Sequence, residues 1–277
     1  MKKEAEVLDP FILHHGANNV WYGIFPAFAR MGIKHGISTR LGGVSNHPFA
    51  TLNLGLHTGD SAADVVCNRE RFCQAVGVDF EKVVTAEQVH GDQISVVGLA
   101  EAGRGARIYE QALPGTDGLI TNCKGLPLLL FFADCVPVLI IDPVRGVVGI
   151  SHAGWKGTTA QIASKTVITM QEHFGTIPAD CLAAIGPSIG PCCYEVDEVV
   201  INKLKAGFPQ WQQFVTPRND KWMLNLWEAN RQQLLEIGVQ AENISISNIC
   251  TACNTGVFFS HREEKGHTGR IGAIITL

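Results

Sequence analysis

Three side chains that can bind a metal ion or act as nucleophiles stand at the ends of apolar segments. His90 precedes a glycine, Cys135 opens an apolar run, and His152 closes another. Two imidazoles and a thiolate form a suitable zinc-ligand set, and three protein ligands leave a fourth position open for water. Such an open position allows zinc to lower the pKa of bound water to about 7. The three residues therefore predict a catalytic zinc site and are themselves the catalytic candidates.

The spacing of these residues leaves other interpretations open, because it is unlike the short loops of structural zinc modules. His90 and His152 could be ordinary hydrogen-bonded histidines, and Cys135 a small core residue. Cys135 could also be a nucleophile paired with His152, as in a Cys–His hydrolase or deamidase. Copper is disfavoured, since a multicopper oxidase needs closely paired histidines and the ten histidines include no H-x-H pair.

Two residues are candidates for binding substrate. Arg40 precedes a Gly-Gly turn and could hold phosphate or carboxylate, since guanidinium offers a planar fork of donors. A tight turn with a solvated arginine is the simpler interpretation of this motif. Asn53 could hydrogen-bond a sugar or a base. Asp134 precedes Cys135, and in a regular strand it would point to the opposite face and could support a ligand histidine.

Two cysteine pairs, Cys192–Cys193 and Cys250–Cys253, could bind a second metal ion or form a redox pair. A lone C-x-x-C is a weak signal, so buried structural thiols are the default interpretation. The nine cysteines are scattered, and no export signal precedes them. Free thiols and metal ligands are therefore expected in preference to a disulfide framework.

Composition and charge exclude several classes of protein. The chain has 277 residues, of which 46% are hydrophobic and 17% charged, with a formal net charge of −4. It can bury a large core, and it offers no broad basic surface for nucleic acid or anionic lipid. The longest apolar stretch, residues 126–141, is too short and too interrupted to span a bilayer. We expect a cytoplasmic protein that binds neither nucleic acid nor membranes.

Apolar runs alternate with amphipathic segments along the whole chain, which predicts an α+β fold with mixed sheets. Ser61 and Gly77 are suited to begin and end a helix over residues 61–76. The other predicted helices are 158–173, 196–206 and 224–237, and the predicted strands are 82–84, 93–97, 126–132, 137–141, 146–151, 182–185, 244–249, 256–260 and 270–277.

Ordered motifs over residues 33–277 closely resemble the YfiH/YlmD family of laccase-domain, polyphenol-oxidase-like proteins, and in particular its bacterial YlmD-like members. The mammalian relative of that family is FAMIN. The motifs are Ser38-Thr39-Arg40-x-Gly42-Gly43, Leu52-Asn53-Leu54-Gly55, Gln88-Val89-His90-Gly91, Asp117-Gly118, Ala133-Asp134-Cys135-x-Pro137, His152-Ala153-Gly154-Trp155-x-Gly157, Gly186-Pro187-x-Ile189-Gly190, Phe259-Ser260-x-Arg262 and Thr268-Gly269-Arg270.

The resemblance implies a layered α/β/β/α sandwich, with residues 1–277 as one catalytic domain and a short variable N-terminal segment over about residues 1–32. It implies a purine nucleoside phosphorylase for adenosine, inosine and S-methyl-5′-thioadenosine, with adenosine deaminase activity. The family's zinc ligands match His90, Cys135 and His152. Purine nucleoside and phosphate are the implied partners, and the chain is expected to be a monomer or a weak dimer. The alternatives remain the Cys–His hydrolase and a copper-dependent polyphenol oxidase.

Overall fold

The longest apolar stretch becomes two central strands that are buried on both faces. In the computed structural model, which describes residues 10–277, β7 (Leu128–Phe132) and β8 (Val136–Asp142) are buried at every position. Because side chains alternate along a strand, each strand supplies two different cores. Leu139 and Ile141 of β8 face the layer between the sheets, while Val138 and Ile140 face the helices on the other side.

Two six-stranded mixed sheets and one small antiparallel sheet contain all the strands of residues 10–277. Besides β7 and β8, the strands are β1 (Ile12–His15), β2 (Trp21–Ile24), β3 (Lys34–Ser38), β4 (Val84–Thr85), β5 (Ile94–Val96), β6 (Gly118–Thr121), β9 (Val147–Ala153), β10 (Leu182–Ile185), β11 (Glu195–Val196), β12 (Val215–Arg218), β13 (Lys221–Leu224), β14 (Ile244–Ile246) and β15 (Ile271–Thr276). The first sheet has the order β1-β2-β3-β15-β7-β4, the second β14-β10-β8-β9-β6-β5, and the third β11-β13-β12.

Helices α2 (Ala62–Val76) and α4 (Ile162–Phe174) cover the outer faces of the two large sheets, whereas Phe28 of α1 (Pro26–Arg30) packs into the layer between them. Phe72 of α2 packs with Leu129 and Phe131 on the outer face of the first sheet, and Val167 of α4 packs with β8 on the outer face of the second. The layers therefore follow the predicted α/β/β/α order. The helices are α1 (Pro26–Arg30), α2 (Ala62–Val76), α3 (Trp155–Thr159), α4 (Ile162–Phe174), α5 (Glu198–Gly207) and α6 (Leu226–Glu236).

Most predicted elements are confirmed to within a few residues. The Ser61 hydroxyl accepts the N–H of Asp64 at 3.4 Å, and Gly77 ends α2 with a left-handed φ of 77°. Helices α5 and α6 begin two residues later than the sequence indicates, since Asp197 and Asn225 cap them. The central strands lie where the apolar runs predict them.

Two predicted elements are wrong in form. The helix expected over 158–173 is two helices, because Gln161 has a left-handed φ of 62° and separates α3 from α4. Residues 256–260 form turns in place of a strand. Their N–H groups bond locally, Phe258 to the Asn254 carbonyl at 2.9 Å and Ser260 to the Glu264 carboxylate at 3.0 Å.

The described part of the N-terminal segment contains β1, β2 and α1, to which the sequence analysis assigned no element. The strands β1 and β2 form an antiparallel pair that extends the first sheet through β3. Within residues 10–277, no helix is long and apolar enough to cross a membrane.

Candidate active site

The three predicted metal ligands converge at one end of the layer between the two large sheets. One ligand atom from each of His90, Cys135 and His152 lies within 4.8 Å of the others. The rings of His90 and His152 meet edge to face, with their centroids 4.8 Å apart. The sequence therefore identified residues that the fold brings together from three separate segments.

The β8–β9 hairpin positions two of these ligands. Cys135 immediately precedes β8, His152 is the penultimate residue of β9, and the strands pair Pro137 with His152. Val148 and Ile150 of β9 face the layer between the sheets, so His152 faces that layer as well. Its ring lies 5.4 Å from that of Phe132. The thiol and the imidazole thus project from paired strands toward the same space.

Asp117, which sequence analysis assigned no role, holds the other side of the site. It directly precedes β6, the strand beside β9, and its carboxylate lies 2.8 Å from Nδ1 of His152. The same carboxylate accepts the N–H groups of Val89, His90 and Gly91 at 2.7–3.1 Å. His90 adopts a left-handed φ of 60° in this turn. One buried carboxylate therefore orients the His152 imidazole directly and fixes the turn that carries His90.

The donor set and its support fit a zinc ion. Because Nδ1 of His152 is hydrogen-bonded to Asp117, Nε2 is the ring nitrogen left to bind a metal ion, as in the carboxylate–histidine–zinc arrangement. Two imidazoles and one thiolate leave one tetrahedral position open. Gly154 leaves room for the sulfur, since a Cβ there would lie 2.7 Å from Sγ of Cys135.

Charge in the site favours the thiolate form of Cys135. Burial raises the pKa of this thiol, but the charge of His152 and hydrogen bonds from both imidazoles outweigh burial and lower the pKa to about 6. Burial disfavours a charged His152, yet Cys135 and Asp117 raise the pKa of His152 to about 9. The two groups titrate as one pair. A thiolate near neutral pH is the form that metal binding and nucleophilic attack both require.

A cavity of about 440 Å³ opens over the three residues. This volume is in the range of small-molecule binding sites. Aromatic and aliphatic side chains form much of its wall, with polar groups around the ligand triad. The lining residues are His57, Gln88, His90, Phe131, Ala133, Asp134, Cys135, His152, Trp155, Ile189, Tyr194, Leu226, His261, Arg262 and Arg270.

The wall of the cavity carries two guanidinium groups together with the carboxylate of Asp134. Arg262 and Arg270 line it, and neither forms an ion pair with a carboxylate of residues 10–277. Arg69 lies fully buried behind the wall, 4.3 Å from the ring centre of Phe131, and donates only to backbone carbonyls. Burial, together with the charges of Arg270 and Arg69, lowers the pKa of His57 to about 4. The cavity is therefore suited to an anion, and His57 is neutral at physiological pH.

The two predicted substrate-binding residues lie outside the cavity lining. The Arg40 guanidinium pairs with Glu264 at 3.0 Å, donates to two backbone carbonyls and lies over the ring of Phe259. Asn53 is fully buried and bonds Thr58, Asp60 and the N–H of Arg270. Their donors and acceptors are thus used within the protein. Both residues brace the segments behind the cavity, whereas Arg262 and Arg270 reach it.

Asp134 was predicted to hydrogen-bond a ligand histidine, but its carboxylate bonds other groups. The strand has ended at this position, where φ is 76°, so the alternation that the suggestion assumed does not apply. The carboxylate accepts the Thr251 hydroxyl at 2.6 Å, the Ser260 hydroxyl at 3.1 Å and the Arg262 N–H at 2.6 Å. Asp134 therefore fastens the C-terminal turns against the cavity.

Comparison with known proteins gives consistent similarities. Residues 34–277 match a family model described as multi-copper polyphenol oxidoreductase laccase. The chain is 44% identical to the purine nucleoside phosphorylase YlmD of Geobacillus stearothermophilus, over 90% of this chain and 91% of the relative. It is 35% identical to the adenosine deaminase RL5 of an unknown prokaryotic organism, over 80% and 85% of the two chains. The crystal structure of hypothetical protein YfiH from Bacillus licheniformis superposes with a TM-score of 0.92 at 40% identity, covering 98% and 100% of the two chains.

Proposed function

The chain belongs to the family described as multi-copper polyphenol oxidoreductase laccase, and from this premise we propose that it is a zinc-dependent purine nucleoside phosphorylase. Phosphate attacks C1′ of inosine, adenosine or S-methyl-5′-thioadenosine, the bond from C1′ to the purine breaks, and the products are the sugar 1-phosphate and the free base. The observation that carries the proposal is a cavity holding both a metal-ligand triad and unpaired guanidinium groups. Adenosine deamination, in which water replaces the 6-amino group and ammonia leaves, is proposed as a second activity.

Phosphate is assigned to Arg262 and Arg270. Guanidinium groups bind phosphate through paired N–H donors, and the partial burial of Arg270 strengthens such charge-assisted bonds. Arg270 is held by bonds from Nη1 to the carbonyls of Thr268 and Gly269, both at 2.9 Å. A side chain fixed in this way loses little freedom when it binds its ligand. These two residues replace Arg40 as the proposed phosphate site.

The purine is assigned to the aromatic part of the wall. Phe131, Trp155 and Tyr194 line the cavity, and planar bases stack favourably on aromatic side chains. His57 is neutral and open to the cavity, so it can exchange a hydrogen bond with the edge of the base. Stacking and this bond would orient the nucleoside with its ribose toward the guanidinium groups.

His90, Cys135 and His152 would hold the zinc ion. When bound, zinc supplies Lewis-acid stabilisation for charge that develops on the reacting purine. Asp117 keeps the proton of His152 on Nδ1 and fixes the turn that carries His90. Copper is not favoured, because a multicopper oxidase needs closely paired histidines and the ten histidines of the sequence include no H-x-H pair. Copper-dependent oxygen consumption would support the polyphenol oxidase alternative.

A Cys–His hydrolase is the second candidate, because Asp117 is hydrogen-bonded to His152 and Cys135 lies beside that imidazole, which resembles a catalytic triad. Such a hydrolase needs only one imidazole beside the thiolate. His90 is a second imidazole, held toward the sulfur in a left-handed backbone conformation. A metal site requires this residue, and a triad does not, so the metal site is preferred.

We further propose that residues 1–277 act as one catalytic domain in the cytoplasm, as a monomer or weak dimer. The predicted partners are the nucleoside and phosphate, without a nucleic-acid or membrane partner.

The first experiment measures hypoxanthine released from inosine by protein of known zinc content, with and without inorganic phosphate. We expect release only with phosphate, together with an equal amount of ribose 1-phosphate. Ammonia release from adenosine, measured separately, tests the deaminase activity. No release of base from inosine, adenosine or methylthioadenosine by fully zinc-loaded protein would contradict the phosphorylase. Release that is independent of phosphate would indicate a nucleoside hydrolase.

The assignment of phosphate predicts that Arg270→Gln raises the KM for phosphate by about 10- to 100-fold. One hydrogen bond to a charged group contributes about 1.5–3 kcal/mol, which corresponds to this range. Initial rates at varied phosphate and fixed saturating inosine provide the measurement. The matched control is Arg40→Gln, which should leave this KM unchanged because Arg40 is paired with Glu264. The opposite pattern would return the phosphate site to Arg40.

A further inference from the structure

Four cysteine sulfurs converge at a second place, outside the lining of the cavity. Cys192 and Cys193 lie in the loop after β10, and Cys250 and Cys253 lie in the turn after β14. Sγ of Cys253 is 3.5 Å from Sγ of Cys192 and 3.3 Å from Sγ of Cys193. All four sulfurs lie within 4.8 Å of one another, and all four residues are free thiols.

Core packing does not account for this group. Cysteine is among the most buried residue types, and a thiol placed for packing lies in an apolar interior. Here Cys192 and Cys253 are exposed, Cys193 is half-buried, and only Cys250 is buried. Exposed thiols in contact are readily oxidised unless a metal ion binds them. The default interpretation of buried structural thiols is therefore wrong.

The spacing of the sulfurs suits one tetrahedral ion. Four thiolates at the usual zinc–sulfur distance of about 2.3 Å are separated from one another by about 3.8 Å. The observed sulfur separations fall around this value. The N–H of Gly190 donates to Sγ of Cys250 at 3.2 Å, a bond that stabilises and orients a thiolate ligand. Sulfurs this close cannot enclose a cluster of several iron ions.

We propose that Cys192, Cys193, Cys250 and Cys253 form a structural zinc site, separate from the site in the cavity. Four protein ligands leave no position for substrate, so its role is to fasten the two segments together. Both segments border the cavity. Ile189 and Tyr194 of the first line it, and the Thr251 hydroxyl of the second donates to Asp134 at 2.6 Å. The ion would thus stabilise one wall of the cavity from outside.

The test is zinc stoichiometry by mass spectrometry on full-length protein purified under reducing conditions. Wild type should carry about two zinc ions per chain, and Cys253→Ser and Cys135→Ser about one each. Cys123→Ser is the matched control, because Cys123 belongs to neither group and should lose no zinc. Cobalt substitution is the second measurement. The Cys135→Ser protein should retain the intense sulfur-to-cobalt charge-transfer bands of a four-thiolate site, and Cys253→Ser should lose them.

The outcomes separate this site from the one in the cavity. Zinc that is lost from Cys135→Ser and unaffected in Cys253→Ser would overturn the second site. A disulfide between two of these four cysteines, found by non-reducing peptide mapping, would overturn it as well. Wild type with one zinc ion that Cys253→Ser removes and Cys135→Ser retains would uphold the second site and contradict the metal site of the proposed function. If Cys253→Ser fails to fold, the zinc content of Cys135→Ser tests the second site: about one zinc ion per chain would support it, and none would overturn it.

Discussion

Replacing Cys135 with alanine is expected to remove about one zinc ion per chain and to reduce phosphorolysis by about 10³-fold or more. Thiolate is the ligand that zinc binds most firmly in a mixed site, and two imidazoles alone hold it poorly. Loss of the ion would remove several kcal/mol of charge stabilisation, and each 1.36 kcal/mol is a factor of ten in rate. Zinc content and hypoxanthine release are measured on the same preparation, with Cys123→Ala as the matched control.

The Cys135 variant also decides between the two candidate chemistries. A metal-free variant with full activity would contradict any role for the thiol. In the hydrolase, the wild-type protein is active without metal, and alkylation of the thiol inactivates it. In the phosphorylase, bound zinc protects the thiolate from alkylation, and removal of zinc by a chelator restores its reactivity. Alkylation rates with and without chelator therefore give an answer independent of turnover.

Asp117→Asn is expected to lower zinc affinity or activity by about 10- to 100-fold, the usual effect of changing a residue that orients a metal ligand. Asparagine has nearly the same shape, but its amide is neutral and presents N–H donors on one side. It can neither keep the His152 proton on Nδ1 as strongly nor accept all three N–H groups of the His90 turn. Zinc affinity is measured by chelator competition, alongside kcat.

The control for Asp117 is Asp142→Asn, at the far end of β8. Asp142 is also fully buried and accepts two backbone N–H groups, from Val144 and Arg145, but it contacts no candidate ligand. We expect both variants to lose thermal stability and only the Asp117 variant to lose zinc affinity. Equal zinc affinity in the two variants would show that Asp117 has only a structural role.

The candidate metal ligands could be predicted from the sequence, but the residue that holds them in position could not. His90, Cys135 and His152 could be identified because imidazoles and a thiol at the ends of apolar runs serve no packing purpose. Asp117 could not, because its role depends on β6 lying beside β9, and local patterns carry no information on strand order. The available signals were a carboxylate before a glycine and the Asp117-Gly118 motif of the family resemblance, and neither assigns a role to the residue.

Arginine side chains illustrate a second limit. Arg40 and Arg270 have the same chemistry, and only the fold shows that Glu264 neutralises the first while the second reaches the cavity. The central strands were predictable, since continuous apolar runs specify burial on both faces. The residues of β1 are exposed and lack that pattern, so this strand could not be assigned. Residues 256–260 include apolar side chains that are buried although their backbone forms turns, so the apolar run was wrongly assigned to a strand.

A slip of one residue between β8 and β9 would turn His152 away from Cys135 while leaving every ligand in the sequence. Side chains alternate between faces, so the register decides which of them face the cleft. The register is fixed at the opposite end of the hairpin, where Asp142 caps the turn and Gly146 has a φ of 63°. We expect a shortened turn there to shift this register, to separate His152 from Cys135 and so to abolish activity. This four-residue connection lies outside the cavity lining, yet it sets the register that brings His152 beside Cys135.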